Sequence, residues 1–112
     1  MTVKDLKDAL NLTPFSEANP ERTVTGGYTG DLLSWVMGHA MADEAWITIM
    51  SNRNITAVAT LTDVALILLA EGVQPDEGVA ELALEKGINI YGSELSSYAL
   101  SASVDRLLSG KI

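Results

Sequence analysis

The spacing of apolar residues predicts helices and strands that alternate along the chain. Apolar residues recur at helical spacing in residues 2–10 and 29–40, which predicts an amphipathic helix in each range. Residues 64–70 form a continuous apolar run. Such a run is typical of a strand that is buried on both faces of a parallel sheet, and a buried helix is the alternative.

The same alternation continues to the end of the chain. Further strands are predicted at residues 45–50 and 88–91, and further helices at residues 76–86 and 93–109. Asn52 or Asn54 is expected to begin another helix, which reaches about Thr62. Its β-branched residues leave a strand at residues 55–61 as the competing interpretation.

The N-terminal segment contains a helix cap and a candidate edge strand. Thr2 and Asp5 have the spacing of a capping box, with Asp in place of the longer Glu. Residues 12–16 are expected to be extended. Pro14 places such a strand at the edge of a sheet, because proline has no N–H to donate to a neighbouring strand.

Residues 22–34 are interpreted as a short strand, a glycine turn and the start of a helix. Val24 lies between two threonines and suits a strand. Gly26 and Gly27 permit a tight turn with positive φ. Thr29 is expected to cap the helix that follows.

Together these elements predict an α/β fold, a layered domain with a largely parallel sheet of about four to five strands flanked by helices. From Trp46 onward a strand and a helix alternate three times, which favours parallel strands joined by right-handed crossovers. The 112 residues are expected to form one domain, residues 1–112.

The charge of the chain argues against two classes of partner. The formal net charge is −8, and the seven basic residues are scattered along the sequence. Nucleic acids and anionic membrane surfaces require a basic patch, so neither is expected as a partner. No apolar run is long enough for a transmembrane helix, and a cytoplasmic location is the default expectation.

The residues that most often carry catalysis or bind metals are scarce. The chain has no cysteine, which excludes disulfides, thiolate catalysis and cysteine-based zinc sites. His39 is the only histidine, and one histidine without a cluster of other ligands does not predict a metal site. No catalytic residue, metal or cofactor is therefore predicted.

The glycine segment and its surroundings resemble the DRTGG domain family. The resemblance rests on Arg22, Thr25, Gly26 and Gly27, followed by Tyr28, Asp31-Leu32-Leu33 and Val36-Met37. Residues 46–49, residues 58–69 and Pro75-Asp76 follow the same pattern, so the resemblance covers nearly the whole chain. Glu21 stands where the family has its leading Asp, and Val24-Thr25 separates Thr23 from the glycines.

The resemblance implies a layered α/β domain similar to the N-terminal, non-catalytic domain of HPr kinase/phosphorylase. DRTGG domains also occur beside CBS domains and within some phosphotransacetylases and inorganic pyrophosphatases. A regulatory or dimerising role is implied, and stand-alone members are often named serine kinases by similarity. This chain has no phosphate-binding loop and no magnesium-binding motif, so we expect no kinase activity from it.

The loops that follow the strands are the expected location for a small anionic metabolite or nucleotide. The ligand candidates are Arg22, Thr25, Gly26, Gly27, Asn52, Arg53 and Ser93. Structural roles are the alternative for these residues. They comprise a turn at the glycines, helix caps at the asparagines and at Ser93, and an arginine that pins the turn by bonding carbonyls or a nearby carboxylate.

Two helices carry candidates for a subunit interface. The last helix has two apolar faces, whereas a surface helix needs only one. Trp35 and His39 lie one turn apart at the margin of the apolar stripe in residues 29–40. The interface candidates are Trp35, His39, Leu100, Val104 and Leu107. Burial in the core of the chain itself is the alternative for both surfaces.

These residues and the resemblance favour a non-catalytic regulatory or interaction module that associates with itself as a homodimer. A sensor of a small anionic metabolite or nucleotide is the alternative. A protein partner is compatible with both functions, and a serine kinase ranks third.

Overall fold

A strand of leucine and isoleucine lies at the centre of the structure, a computed structural model that describes residues 1–110. This strand, β4 (Leu66–Leu69), is fully buried. The other strands are β1 (Thr13–Ser16), β2 (Gly26–Thr29), β3 (Glu44–Thr48) and β5 (Ile90–Gly92). They form one sheet in the order β1-β5-β4-β3-β2, so that β4 has two strands on either side.

Most of the sheet is parallel. Strands β2 to β5 run in the same direction, and β1 pairs antiparallel with β5 at one edge. Strand β2 forms the other edge. The predicted α/β fold with a largely parallel sheet is therefore confirmed, and Pro14 lies on an edge strand as expected.

Helices cover both faces of the sheet. Helices α1 (Val3–Leu10) and α5 (Ser97–Ser109) pack on one face, and α2 (Leu33–His39), α3 (Asn54–Thr62) and α4 (Val79–Glu85) pack on the other. The side chains of β4 alternate between the two cores. Leu66 and Leu68 join the first core, and Ile67 and Leu69 join the second. This double burial is typical of a central parallel strand.

Two local predictions from the sequence are confirmed. The Thr2 hydroxyl accepts a hydrogen bond from the Asp5 N–H, and the Asp5 carboxylate accepts one from the Thr2 N–H, which completes the capping box. Residues 54–62 form a helix rather than a strand. Ile55 and Val58 fall on the same side of this helix and are buried against the sheet.

The predicted glycine turn is wrong. Residues 26–29 form β2 itself, in parallel register with β3. Neither Gly26 nor Gly27 adopts a positive φ. The hydrogen bonds to β3 override the local preference of a glycine pair for a turn.

Two predicted helix caps are also wrong, because both helices begin later than expected. Helix α2 begins at Leu33, and the Thr29 hydroxyl instead lies 2.7 Å from the Ser101 hydroxyl of α5. Helix α5 begins at Ser97, and its cap is Ser96 rather than Ser93.

Asn89 ties the loop after β1 to the centre of the sheet. Its buried side chain donates to the backbone oxygens of Asn19 at 2.8 Å and Ala65 at 2.9 Å. Its side-chain oxygen accepts from the Asn19 N–H at 2.7 Å. Both donors and the acceptor of this amide are therefore used, as a buried polar group requires.

The substitution Asn89→Asp keeps the shape of the side chain but removes both donors. We expect the free energy of unfolding to fall by about 2–4 kcal/mol, because two carbonyl oxygens then face a buried carboxyl group. Urea denaturation followed by circular dichroism measures this loss. Asn54→Asp, at an exposed helix start, is the matched control. A similar small effect in both variants would contradict the role of Asn89.

Candidate functional site

Arg22 lies at the amino end of the parallel strands, where it joins two turns. Its guanidinium donates to the Asp43 carboxylate at 2.9 and 3.2 Å and to the backbone oxygen of Asp63 at 2.6 Å. It also pairs with the Asp63 carboxylate at 3.0 Å. Asp43 precedes β3 and Asp63 ends α3, and both have positive φ. Arg22 thus holds the turns that lead into β3 and β4.

These partners give Arg22 a structural role. Burial by itself would lower the pKa of Arg22, but the hydrogen bonds with Asp43 and Asp63 outweigh that effect and raise the pKa. The sequence left a bond between this arginine and a nearby carboxylate as the structural alternative to ligand binding. The structure contains such a bond, between Arg22 and Asp43. Neither aspartate is among the residues predicted from the sequence. The one sequence signal that points to them is that Asp tolerates a positive φ in a turn before a strand.

The loops at the carboxyl ends of the parallel strands are acidic. Their acidic residues are Asp31, Glu71, Asp76, Glu77 and Glu94. Arg53 is the only basic residue in these loops, and it lines a cavity of about 320 Å³ together with Glu77, Glu81 and Glu85. Such a distribution of charge repels an anionic ligand.

The side chains of two other ligand candidates in these loops form hydrogen bonds with backbone N–H groups two residues further along the chain. The Asn52 side-chain oxygen accepts from the Asn54 N–H at 2.9 Å, at the start of α3. The Ser93 hydroxyl accepts from the Leu95 N–H at 3.1 Å. Both side chains therefore stabilise the turns in which they lie.

The ligand candidates do not form one site. Arg22 and the glycines Gly26 and Gly27 lie at the amino end of the sheet, whereas Arg53 and Ser93 lie at the carboxyl end. The five residues of β3 separate the two ends by roughly 16 Å, at about 3.3 Å per residue. Arg22 and Arg53, the two arginines among the ligand candidates, therefore cannot contact the same small anion.

An open groove of about 240 Å³ lies between β2 and α5. Gly26, Gly27 and the flanking Thr25 and Thr29 line it from the side of the sheet. No arginine or lysine lines this groove within the described part of the chain. Asp105 lines it from the side of α5, so the groove offers a phosphate a carboxylate and no cation.

The interface candidates on α5 are inside the molecule. Leu100 and Val104 are 0% and 1% exposed, and both belong to the core between α1, α5 and the sheet. Leu107 is partly buried and packs against the same core. The expectation that Leu100 and Val104 meet another subunit is therefore wrong, and burial in their own chain explains the second apolar face.

Trp35 and His39 form an exposed pair on α2. Their rings are stacked, with centroids 4.1 Å apart and planes 14° apart, and His39 Nδ1 lies 2.8 Å from the Trp35 backbone oxygen. Trp35 is 57% exposed and Leu32, just before the helix, is 67% exposed. Burial at the margin of the core, the alternative for this pair, is not observed. An interface at Trp35 and His39 stays a prediction, since exposed large apolar side chains mark interaction surfaces when they cluster.

Two kinds of feature are absent from residues 1–110. No three His, Cys, Asp or Glu side chains in this range are grouped so that they could hold a metal ion. None of the helices in the same range is long and apolar enough to span a membrane.

The fold is similar to that of a solved regulatory protein. That structure contains the CBS and DRTGG domains of the regulatory region of Clostridium perfringens pyrophosphatase, complexed with its activator, diadenosine tetraphosphate. The TM-score is 0.69 at 14% sequence identity, and the match covers 92% of this chain but only 45% of that chain. No protein-family model and no curated protein matches the sequence. The likeness supports the DRTGG-like fold that the glycine segment predicted.

The substitution Arg22→Met tests the bridge at the amino end of the sheet. We expect the free energy of unfolding to fall by about 1–2 kcal/mol, because several charge-assisted hydrogen bonds are lost at a partly exposed position. Arg22→Lys should recover less than half of this loss, since an ammonium group lacks the fork that reaches two partners. Arg106→Met, on the exposed side of α5, is the control in the same denaturation measurement. Full rescue by lysine would contradict the bridging geometry.

Proposed function

We propose that the chain is a non-catalytic regulatory module that associates with itself. The likeness of its fold to a pyrophosphatase regulatory region is the observation that supports this function best. The only histidine is a second support. His39 stacks on Trp35 and lies against a backbone oxygen of its own helix, so it is not held beside a nucleophile as a catalytic base would be.

Self-association is supported by the exposed surface of α2. Leu32 lies just before α2, Trp35 and His39 lie on its exposed side, and none of the three is acidic. An aromatic side chain in such a position is a frequent anchor of protein interfaces. An uncharged contact surface also reduces the repulsion between two copies of a chain with a net charge of −8.

Light scattering over a concentration series from micromolar to millimolar tests the proposal. We expect the mass to approach twice the 11.9 kDa of one chain. Trp35→Glu should raise the dissociation constant at least tenfold, because it places a charge in the anchor position. Tyr98→Glu, at an 86% exposed position of α5, is the matched control and should leave the mass unchanged. A monomer at every concentration would refute self-association.

Ligand sensing is the second candidate function. It is favoured by one observation, the activator in the similar regulatory protein, which is diadenosine tetraphosphate. The acidic loops at the carboxyl end of the sheet oppose it, because Arg53 alone faces several carboxylates there. Electrostatics therefore ranks ligand sensing below self-association for this chain.

A thermal-shift measurement with diadenosine tetraphosphate, and with simpler nucleotides, decides between the two candidates. We expect no shift at millimolar concentration, because the loops around Arg53 repel polyphosphates. A ligand present at 100 times its dissociation constant would add about 2.7 kcal/mol to the stability. A shift that Arg53→Gln abolishes and Arg106→Gln retains would establish a sensor instead.

A further inference from the structure

The outer edge of β2 is open in residues 1–110, where β3 is its only partner strand. Gly30, one residue past β2, donates its N–H to the backbone oxygen of Ile47 in β3 at 3.1 Å. Because the direction of the backbone groups alternates along a strand, Gly27 and Thr29 direct their N–H and C=O groups away from β3. Both residues are exposed, and a row of unpaired backbone groups is a template for another strand.

The N-terminal segment covers this side of the chain only as far as Val24, whose N–H donates to the backbone oxygen of Met1 at 2.8 Å. Thr25 then donates inward, to the backbone oxygen of Asp43 at 2.9 Å, and the positive φ of Asp43 interrupts the regular pairing there. The regular edge, on which alternate residues face outward, therefore begins at Gly27.

A groove beside this edge has room for a side chain of an added strand. The groove, of about 240 Å³, lies between β2 and α5, and Gly27 lines it. Gly27 does not adopt a positive φ, and a Cβ there would lie 3.5 Å from the Ala45 backbone oxygen and 3.8 Å from the Val104 side chain, which are ordinary contacts. The fold of the chain itself therefore does not require glycine at this position. One known use of glycine in a strand is to let another backbone approach closely.

The opposite edge of the sheet is protected against pairing, and β2 is not. Strand β1 contains Pro14, and its register with β5 is interrupted between Pro14 and Ser16. Proline, bulges and charged side chains are devices that prevent edge-to-edge pairing. Strand β2 contains neither a proline nor a charged residue, so its edge is suited to receive another strand.

The charge beside this edge indicates which kind of strand it receives. Asp105 lines the groove from α5, and it forms no ion pair within residues 1–110. A basic side chain on an added strand would be attracted to this carboxylate and to a chain with net charge −8, whereas an acidic side chain would be repelled. A second copy of β2 contains only glycine, tyrosine and threonine, so it brings no basic side chain to Asp105. The charge therefore favours a different polypeptide as the partner.

We propose that β2 binds an extended segment of a partner polypeptide, which joins the sheet as an antiparallel strand and carries a lysine or arginine opposite Gly27. The inference goes beyond the proposed self-association and concerns a different surface. Gly27 and Thr29 each exchange two backbone hydrogen bonds with the residue opposite, as in a hydrogen-bonded antiparallel pair. Residues directly opposite each other share a face of the sheet, and Gly27 faces Val104 of α5. The basic side chain therefore lies over the groove that Asp105 lines.

Two synthetic peptides with blocked ends test this proposal. The probe is Thr-Val-Thr-Lys-Thr-Val-Thr, and its matched control has glutamate in place of lysine. Amide NMR spectra of the isotope-labelled chain report binding at β2. We expect the lysine peptide at millimolar concentration to shift the signals of Gly27 and Thr29 and to bind about fivefold more tightly than the glutamate peptide, because Asp105 attracts the ammonium group. No shift with either peptide, or equal binding of both, would overturn the proposal.

The substitution Asp105→Asn tests the role of the carboxylate. We expect the two peptides to bind this variant equally, because the charge that distinguishes them is removed. Asp8→Asn, at an exposed position of α1, is the matched control and should retain the preference for lysine. A preference for lysine that survives Asp105→Asn would show that the basic side chain does not lie at the groove.

The substitution Gly27→Pro tests the backbone pairing. It removes an N–H that faces away from β3 and leaves the hydrogen bonds to β3 in place, so the variant should fold, which circular dichroism checks. We expect the lysine peptide to bind about tenfold more weakly, because a hydrogen bond of the added strand is lost. Gly27→Ala keeps the N–H and is the control. Unchanged binding to Gly27→Pro would contradict strand addition at β2.

Light scattering of the same variants separates this inference from the proposed self-association. We expect Gly27→Pro to leave the mass of the chain unchanged, because the edge of β2 serves a different partner. A dimer that Gly27→Pro dissociates would show that a second copy occupies the edge and would overturn the inference. A chain that is monomeric at every concentration and still binds the lysine peptide would refute self-association and support the inference.

Discussion

The burial of β4 on both faces is the constraint that organises the rest of the structure. All four of its side chains are fully buried, two in each core. An apolar side chain of this size contributes about 1.5–3 kcal/mol when it is buried, so neither face can be left to solvent. Right-handed crossovers between the parallel strands place α2, α3 and α4 on one face, and α1 with α5 must cover the other. With both faces covered, only the edges of the sheet remain open to another chain.

The arginine of the DRTGG-like segment stabilises this sheet. Arg22 fixes the turns before β3 and β4 through Asp43 and Asp63, and β3 in turn sets the register of β2. The glycines that follow the arginine are therefore held extended at an edge, with their backbone groups in a defined direction. Residues 22–29 thus contain both the arginine that joins the two turns and a strand at the edge of the sheet.

The sequence predicted features that depend on the composition of a whole helix or strand. It missed features that depend on contacts between residues far apart in the chain. The apolar run around β4 and the apolar spacing of α3 indicated a strand and a helix that the structure confirms against their alternatives, because burial acts along the full length of an element. The conformation of Gly26 and Gly27 was not predictable, since it is imposed by pairing with β3. The partners of Arg22 lie 21 and 41 residues away, and the apolar pattern does not encode such contacts. Leu100 and Val104 were assigned to an interface because an apolar helix face looks the same whether it meets its own sheet or a second subunit.

The distribution of charge in this chain favours one of the two candidate functions over the other. Open α/β sheets commonly bind ligands at the carboxyl ends of their strands. In this chain those loops carry five acidic residues and Arg53, so a phosphate would enter a repulsive field. The outer edge of β2 has the opposite character, since it is uncharged and presents unpaired backbone groups. A paired segment without charged side chains adds no direct repulsion to that caused by the net charge of −8. Electrostatics therefore ranks the proposed association above ligand sensing.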